Sequence, residues 1–381
     1  MNESTPSTLN DVSEFIVDCL HATAPIENDG YPLIRTPNIG KGRLDLDGVQ
    51  RVSQSTYETW TQRAIPQPGD LIFAREAPAG NVAIVLEGQQ VCLGQRTVHI
   101  RPSREKVNPN FLCYFLLAPQ QQGLLLAAET GATAKHINMK DIRRLPLVRL
   151  PELAAQQRIG SMLADYDDLI DNNRRRIKLL EDSVRLLFDE WFVRLRFPSE
   201  VSAPSGVGLP SGWSRLPLEE VLVLQRGFDL PSQDREAGDT PIYGSTGIVG
   251  FHDKAKVSGP GIVTGRSGTL GDVHFVWQDF WPLNTALWVK EFKRVTPLFA
   301  LYLLRGMNLG QYNGGVSVPT LDRKVVHKAE VVLPPVPLME RFDAMAQDVH
   351  QQIDILTKMN AKLRAARDLL LPRLMSGELV V

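Results

Sequence analysis

The chain predicts an α+β fold: two globular domains of mixed α/β structure, joined by two long antiparallel coiled-coil helices in a pseudo-twofold internal repeat. Three observations predict it. Residues 151–191 carry a sustained seven-residue apolar pattern, residues 337–371 carry a second one, and the segments preceding the two patterns match each other in order.

Read by sevens, Leu163, Ile170, Ile177, Val184 and Trp191 fall on one row, and Tyr166, Asn173, Leu180 and Leu187 on another three residues later. Two such rows form one seam on a helix with a 3.5-residue repeat. No Pro or Gly interrupts it after Gly160. At 1.5 Å per residue, about 40 residues make a rod of roughly 60 Å, which reads as a spacer with a partner helix along it. The partner is in the same chain: Val349, Leu356, Leu363 and Leu370 stand 183 residues after Tyr166, Asn173, Leu180 and Leu187. Asn173 places a polar group in the seam, where it fixes helix register at some loss of stability.

The organisation expected is therefore a first domain at 1–150, a central helix at 151–197, a linker at 198–212, a second domain at 213–335, a distal helix at 336–375 and a tail at 376–381. The linker is rich in Pro, Ser and Gly, and Trp213 opens the second domain.

Within the first domain, residues 11–20 suggest a short helix. Tyr31-Pro32-Leu33-Ile34 reads as a strand followed by a Gly/Pro/Asn loop. Leu71-Ile72-Phe73-Ala74 leaves a Pro68-Gly69-Asp70 turn as a strand, and 81–86 returns as another. Asn108-Pro109 starts a helix, an Asx cap followed by proline at the first helical position. Residues 131–141 form a polar loop. The second domain retraces this course. Its strand Gly261-Ile262-Val263-Thr264-Gly265 and Arg266 match 70–75, Thr296-Pro297 matches Asn108-Pro109, and 315–322 match 131–138, with an offset near 183–191 residues throughout.

Net charge is −1, so a polyanion-binding surface must be a local basic face. The three cysteines, Cys19, Cys92 and Cys113, form no CxxC pair, which argues against a disulfide scaffold or a zinc site and suits a reducing cytoplasm. The N-terminal residues lack a basic start and an apolar core, so no signal peptide is expected, and no apolar run is long enough to predict a membrane span. The histidines show no metal-binding spacing, and no metal is expected.

Two segments imitate catalytic motifs. Asn108-Pro109-Asn110-Phe111 resembles the Asn/Asp-Pro-Pro-aromatic signature of amino-methyltransferases, but the third residue is Asn and the repeat gives Thr296-Pro297 the same role as a helix start. The glycine-rich 265–271 lacks the Lys-Ser/Thr ending of a phosphate loop. No catalytic constellation is expected.

What remains is a pair of similar but non-identical polar faces, suited to duplex DNA. Arg grips guanine and Asn grips adenine in bidentate fashion, and Arg and Lys hold phosphates. The expected DNA-contacting residues are Arg35, Asn38, Lys41, Arg75, Lys135, His136 and Asn138 in the first domain. Those of the second are Tyr243, Ser245, Thr246, Arg266, Ser267, Ser317, Thr320 and Arg323. The run Asn172-Asn173-Arg174-Arg175-Arg176 lies on the rod and is left out of this set.

In these features the chain resembles the specificity subunit of type I restriction-modification systems. The resemblance runs over nearly the whole length, through Tyr31-Pro32-Leu33-Ile34-Arg35-Thr36, Asp70-Leu71-Ile72-Phe73-Ala74-Arg75 and Pro241-Ile242-Tyr243-Gly244-Ser245-Thr246-Gly247. It continues in the 131–142 loop leading to Leu150-Pro151 and Gln156-Gln157-Arg158-Ile159, and in the closing Leu370-Leu371-Pro372-Arg373-Leu374-Met375-Ser376-Gly377-Glu378-Leu379. One departure is that Gly212-Trp213 opens the second domain with no counterpart in the first.

The resemblance implies two target-recognition domains in a non-catalytic subunit, each reading half of a bipartite DNA target. It implies assembly with two methylation subunits, which would bind S-adenosylmethionine and methylate adenine, and with restriction subunits using ATP and Mg. No cofactor is expected in this chain. The alternatives are a self-contained DNA adenine methyltransferase, which would need a cofactor loop, and a coiled-coil scaffold that does not touch DNA.

Overall fold

The computed structural model describes residues 7–130, 136–197, 208–315 and 317–381. The chain divides into two compact units: Met1–Arg175 with Thr357–Val381, and Arg176–Leu356.

The first unit is built on a five-stranded sheet in the order Ser13–Asp18, Thr97–Pro102, Leu71–Ala74, Val82–Ile84 and Gly42–Arg43. Leu71–Ala74 is buried on both faces, which is why it reads as a continuous apolar run. Leu71 and Phe73 join the core under the helix Pro109–Leu117, and Ile72 and Ala74 face a second cluster with Ile34, Ile39 and Leu93. A three-stranded sheet of Arg51–Val52, Tyr31–Ile34 and Cys92–Leu93 completes the unit. The helix expected at 11–20 is instead the strand Ser13–Asp18. Its β-branched Ile16 and Val17 fit a pleated surface, and Phe15 turns outward to meet the His99 ring edge-on at 5.0 Å.

The second unit repeats the plan. Leu222–Arg226, Ala286–Phe292, Gly261–Gly265 and Val273–Val276 form a four-stranded sheet whose order matches the first four strands above. Its small sheet repeats the first: Tyr31–Ile34 runs parallel to Cys92–Leu93 and antiparallel to Arg51–Val52, as Thr240–Gly244 does to Trp281–Pro282 and Gly247–His252. Leu33 faces Cys92 in one unit and Ile242 faces Trp281 in the other, so Pro32-Leu33 and Pro241-Ile242 are counterparts.

The helix starts differ between the units. In the first, Asn108 Oδ1 accepts the Phe111 amide at 3.0 Å, the Asx cap its sequence predicts. In the second, Thr296 does not cap. Asp343 of the distal helix accepts the Phe299 amide at 2.9 Å, the Leu298 amide at 3.2 Å and the Thr296 hydroxyl at 2.7 Å.

The central helix is Leu153–Phe188, continued by a π-helical turn Asp189–Val193, and the distal helix is Val336–Met375. Within each unit the two run antiparallel. In the first, Asn173 meets Asn360 and Asp167 meets Arg367; in the second, Phe188 and Trp191 pack against Phe342. Of the expected seam, Ile170, Asn173 and Leu356 are buried, and Tyr166, Ile177, Leu180, Leu187, Val349, Leu363 and Leu370 are half-buried. A second row on the distal helix, Met339, Ala346, Asn360 and Leu374, is also buried. Residues 198–207 of the expected linker lie outside the described residues, and Trp213 packs on Phe197 with ring centroids 5.6 Å apart.

Candidate nucleic-acid interface

In each unit a sheet strand ends in an arginine fixed by the same backbone bonds. In the first unit the Arg75 amide donates to the Arg96 carbonyl at 3.0 Å, and the Arg75 carbonyl accepts from Ile137 at 3.0 Å. In the second, the Arg266 amide donates to Thr285 at 2.9 Å, and its carbonyl accepts from Leu321 at 2.8 Å. Ile137 and Leu321 are buried anchors, and each leads into a short helix, Met139–Arg143 or Arg323–His327. The side chains are tethered as well. Arg75 Nε donates to the Ile137 carbonyl at 3.0 Å, and Arg266 Nη1 donates to the Asn284 carbonyl at 3.3 Å.

Around Arg75 the 94–97 turn gathers more cationic groups. The Gly94 amide donates to the Ile34 carbonyl at 2.8 Å, and a Cβ at Gly94 would lie 3.1 Å from Arg35 Cγ, so Arg35 stands beside this turn. Arg96, which sequence reasoning missed, adopts a left-handed φ of 69° in the turn and pairs with Glu76 at 2.9 Å. Asn38 turns its Oδ1 to the Arg35 amide at 3.0 Å and closes the loop between them. His136 lies on the strand preceding Ile137, and Asn138 occupies the cap position of the next helix without capping it through its side chain. Lys135 falls outside the described residues.

Lys41 belongs elsewhere. It lines a hollow of about 180 Å³ with Arg43, Asp171, Arg174 and Arg364, against the helix pair of the first unit. There Arg43 is buried, with Nη2 bonded to Asp168 at 2.7 Å, and the Tyr114 hydroxyl donates to Asp167 at 2.6 Å, while Arg367 pairs with the same carboxylate. This is a structural joint between Arg43 and the two long helices, and Lys41 lies at it.

In the second unit a hollow of about 630 Å³ brings together Arg226, Arg266, Thr320, Arg323 and Lys324, with Gly314 and Gly315 at its edge. The Thr320 amide is held by Asn313 Oδ1 at 2.8 Å. Ser267 anchors its amide on Thr285 at 3.1 Å, and Ser317 is exposed on the same loop as Thr320. Thr246 is exposed and Ser245 half-buried, with the Ser245 carbonyl close to Gly265: a Cβ on that glycine would fall 2.9 Å from it and 2.0 Å from the Thr269 carbonyl. Tyr243, expected at the reading face, lies instead in the sheet core with Val263, Val276 and Phe280. Its position follows Ile242 in a strand buried on both sides. Arg226 and Lys324 were missed by sequence reasoning because no motif contains them.

The same geometry gives Asn108 a structural role. The Asn108 carboxamide oxygen is spent on its cap. Burial pushes the Cys92 and Cys113 thiols up to about 12, far from the thiolate state a nucleophile needs. Among the described residues no His, Cys, Asp and Glu gather to hold a metal, and no helix is long and apolar enough to cross a membrane.

Comparison with known proteins agrees with this architecture. Residues 1–182 match the family described as type I restriction modification DNA specificity domain. The MjaX protein of Methanocaldococcus jannaschii, described provisionally as a type I restriction enzyme specificity subunit, is 22% identical, with 98% of this chain and 93% of that protein covered. The MjaIX specificity subunit of the same organism is 22% identical over 88% of this chain and 83% of its own length. Among solved structures, the type I restriction-modification S subunit from M. genitalium superposes with a TM-score of 0.60 at 17% identity, covering 97% of this chain and 95% of that one, which shows a shared fold. The family match covers residues 1–182, just under half of the chain, and the second unit repeats the strand order of the first, so the chain is similar to type I specificity subunits over nearly its whole length.

Proposed function

We infer that this chain is the DNA-reading subunit of a type I restriction-modification enzyme. Each unit would read one half of a split, asymmetric DNA target. The observation that carries the reading is the repeated arginine. Arg75 and Arg266 sit at the same place in the two units, held by the same two backbone bonds, but in different polar surroundings. Two like frames carrying unlike side chains suit two different half-sites. The long helices that pass from one unit to the other would set the half-site spacing.

The chain itself would carry out no chemistry. Adenine methylation would come from two methylation subunits that hold S-adenosylmethionine, and cleavage from restriction subunits that use ATP and Mg. Both long helices keep large apolar side chains exposed, among them Leu179 and Leu186 on the central helix and Ile355 and Leu369 on the distal one. Such faces suit docking of other subunits.

The test is to map methyladenine across the genome of the source cell with and without this gene. One bipartite motif should lose methylation when the gene is removed. Charge reversal at Arg75 and Arg266 should abolish that methylation while the isolated complex keeps its subunits; a scaffold that does not touch DNA would keep the methylation.

A further inference from the structure

Resting on the reading above, we propose that each unit divides its DNA contact between a tethered arginine that reads a base and a free lysine that grips the backbone: Arg75 with Lys140, and Arg266 with Lys324.

The division follows from how the side chains are held. The Arg75 guanidinium is fixed through Nε on the Ile137 carbonyl, which leaves the Nη1 and Nη2 edge as an end-on fork. The Arg266 guanidinium is fixed through Nη1 on the Asn284 carbonyl, which leaves the Nε and Nη2 edge as a side-on fork. Either fork fits the O6 and N7 acceptors of guanine. A tethered fork has lost its rotamer freedom before DNA arrives, so it loses little on binding and tolerates misalignment poorly. Those are the properties of a base reader.

The lysines are the reverse case. Lys140 and Lys324 are repeat counterparts in the short helices that follow the buried Ile137 and Leu321. Both are exposed. A point charge on a flexible stem meets a phosphate from many directions and carries no sequence information. In the second unit the 630 Å³ hollow places Lys324 beside Arg323 and Arg226 on the rim that also holds Arg266. Asp322 is the acidic residue of that lining, and its carboxylate accepts the Lys324 amide at 2.8 Å. The rim is thus a cationic cradle for a phosphodiester next to a fixed fork. The same sequence of features, tethered arginine, buried anchor, then lysine, occurs in both units.

The experiment isolates the complex through a tag on this full chain and exposes it to a random-sequence duplex pool. Two things are read: the enriched motif, and the slope of log affinity against log salt on the selected duplex. K140A and K324A should keep the motif, weaken binding about tenfold and reduce the salt slope by about 1 each. R75K and R266K keep the charge but lose the fork; each should blur the motif at positions within one half only, with the slope unchanged. The inference is overturned if K324A or K140A changes the motif, or if R266K and R75K leave it intact. Failure of the wild-type complex to enrich any bipartite motif would instead overturn the DNA-reading function, and the inference with it.

Discussion

Asn173 Nδ2 donates to Asn360 Oδ1 at 2.9 Å inside the helix pair of the first unit, and Asn360 Nδ2 continues to the Ile170 carbonyl at 3.3 Å. Both carboxamides are buried; Asn360 Oδ1 satisfies the Asn173 amide, and the Ile170 carbonyl satisfies that of Asn360. A one-residue slip of either helix would strand both. The pair therefore costs stability relative to two leucines but selects one register. Asn360→Leu should destabilise the protein by about 1–3 kcal/mol, because Asn173 then loses its buried partner. Asn173→Leu with Asn360→Leu should recover that loss in full and match or exceed the parent protein in stability. Urea unfolding of the four members of the cycle measures it; an additive double variant would show that the two amides act separately.

The two helix caps make an exchange that can be tested. Asp343 caps the helix Pro297–Gly306 from the distal helix, through the amides of Leu298 and Phe299. In the first unit the space next to the Asn108 cap is held open by Gly160, where a Cβ would sit 2.7 Å from the Phe111 nitrogen and 2.8 Å from Asn108 Oδ1. Asp343→Ala should cost about 1–2 kcal/mol, the usual loss for a removed cap. Gly160→Ala should also destabilise, through crowding. Asp343→Asn, which keeps an acceptor, should recover part of the first loss. Thermal unfolding distinguishes the three.

Much of this architecture was legible in the sequence, because apolar periodicity and turn chemistry are local signals. The seam rows, the Asn108-Pro109 helix start and the matched arginines all announce themselves in this way. What escaped was polar or distant. The buried row of the distal helix holds Asn360, with Arg367 one heptad further on, paired to Asp167. An apolar template passes over such positions. Residues 11–20 carry enough apolar residues for a helix, and only pairing with Thr97–Pro102 makes Ser13–Asp18 a strand. Tyr243 stands beside Ser245 and Thr246 in the sequence, yet its strand is covered on both faces and its ring packs with Val263, Val276 and Phe280. Lys41 and Arg75 both read as loop cations, and only the fold shows that Lys41 faces the helix joint.

Two buried groups give the units different responses to acid. In the second unit, burial next to Arg305 pushes His350 down to about 4, with the Tyr302 hydroxyl 2.9 Å away. A folded pKa below the unfolded value contributes stability at neutral pH that is lost as pH falls from about 6.5 to 4. In the first unit, burial raises Asp70, but the Arg101 guanidinium at 2.7 Å and His99 at 2.6 Å outweigh it and hold the carboxyl at about 2. Its stabilisation is present above about pH 4 and lost between about pH 4 and 2, on the order of 2–3 kcal/mol. Hydrogen exchange across a pH series should show protection falling around His350 before it falls around Asp70. His350→Gln should remove the first step and leave the second.

Gly265 gives the sharpest local test of the reading frame. Its counterpart in the first unit is Ala74, buried and unstrained, whereas a Cβ at Gly265 would fall 2.0 Å from the Thr269 carbonyl and 2.9 Å from that of Ser245. Both obstacles are backbone, so the loop itself must shift, and Arg266 follows directly. Gly265→Ala should therefore destabilise the protein by about 1–3 kcal/mol, as overpacking does, and blur recognition of one half-site. Gly306→Ala is the control, at a helix end with open space around it. It should be neutral or stabilising by about 0.4–1 kcal/mol and leave the methylated motif intact. Methyladenine mapping beside thermal unfolding measures both; an unchanged motif in Gly265→Ala would mean that the Arg266 loop does not read DNA.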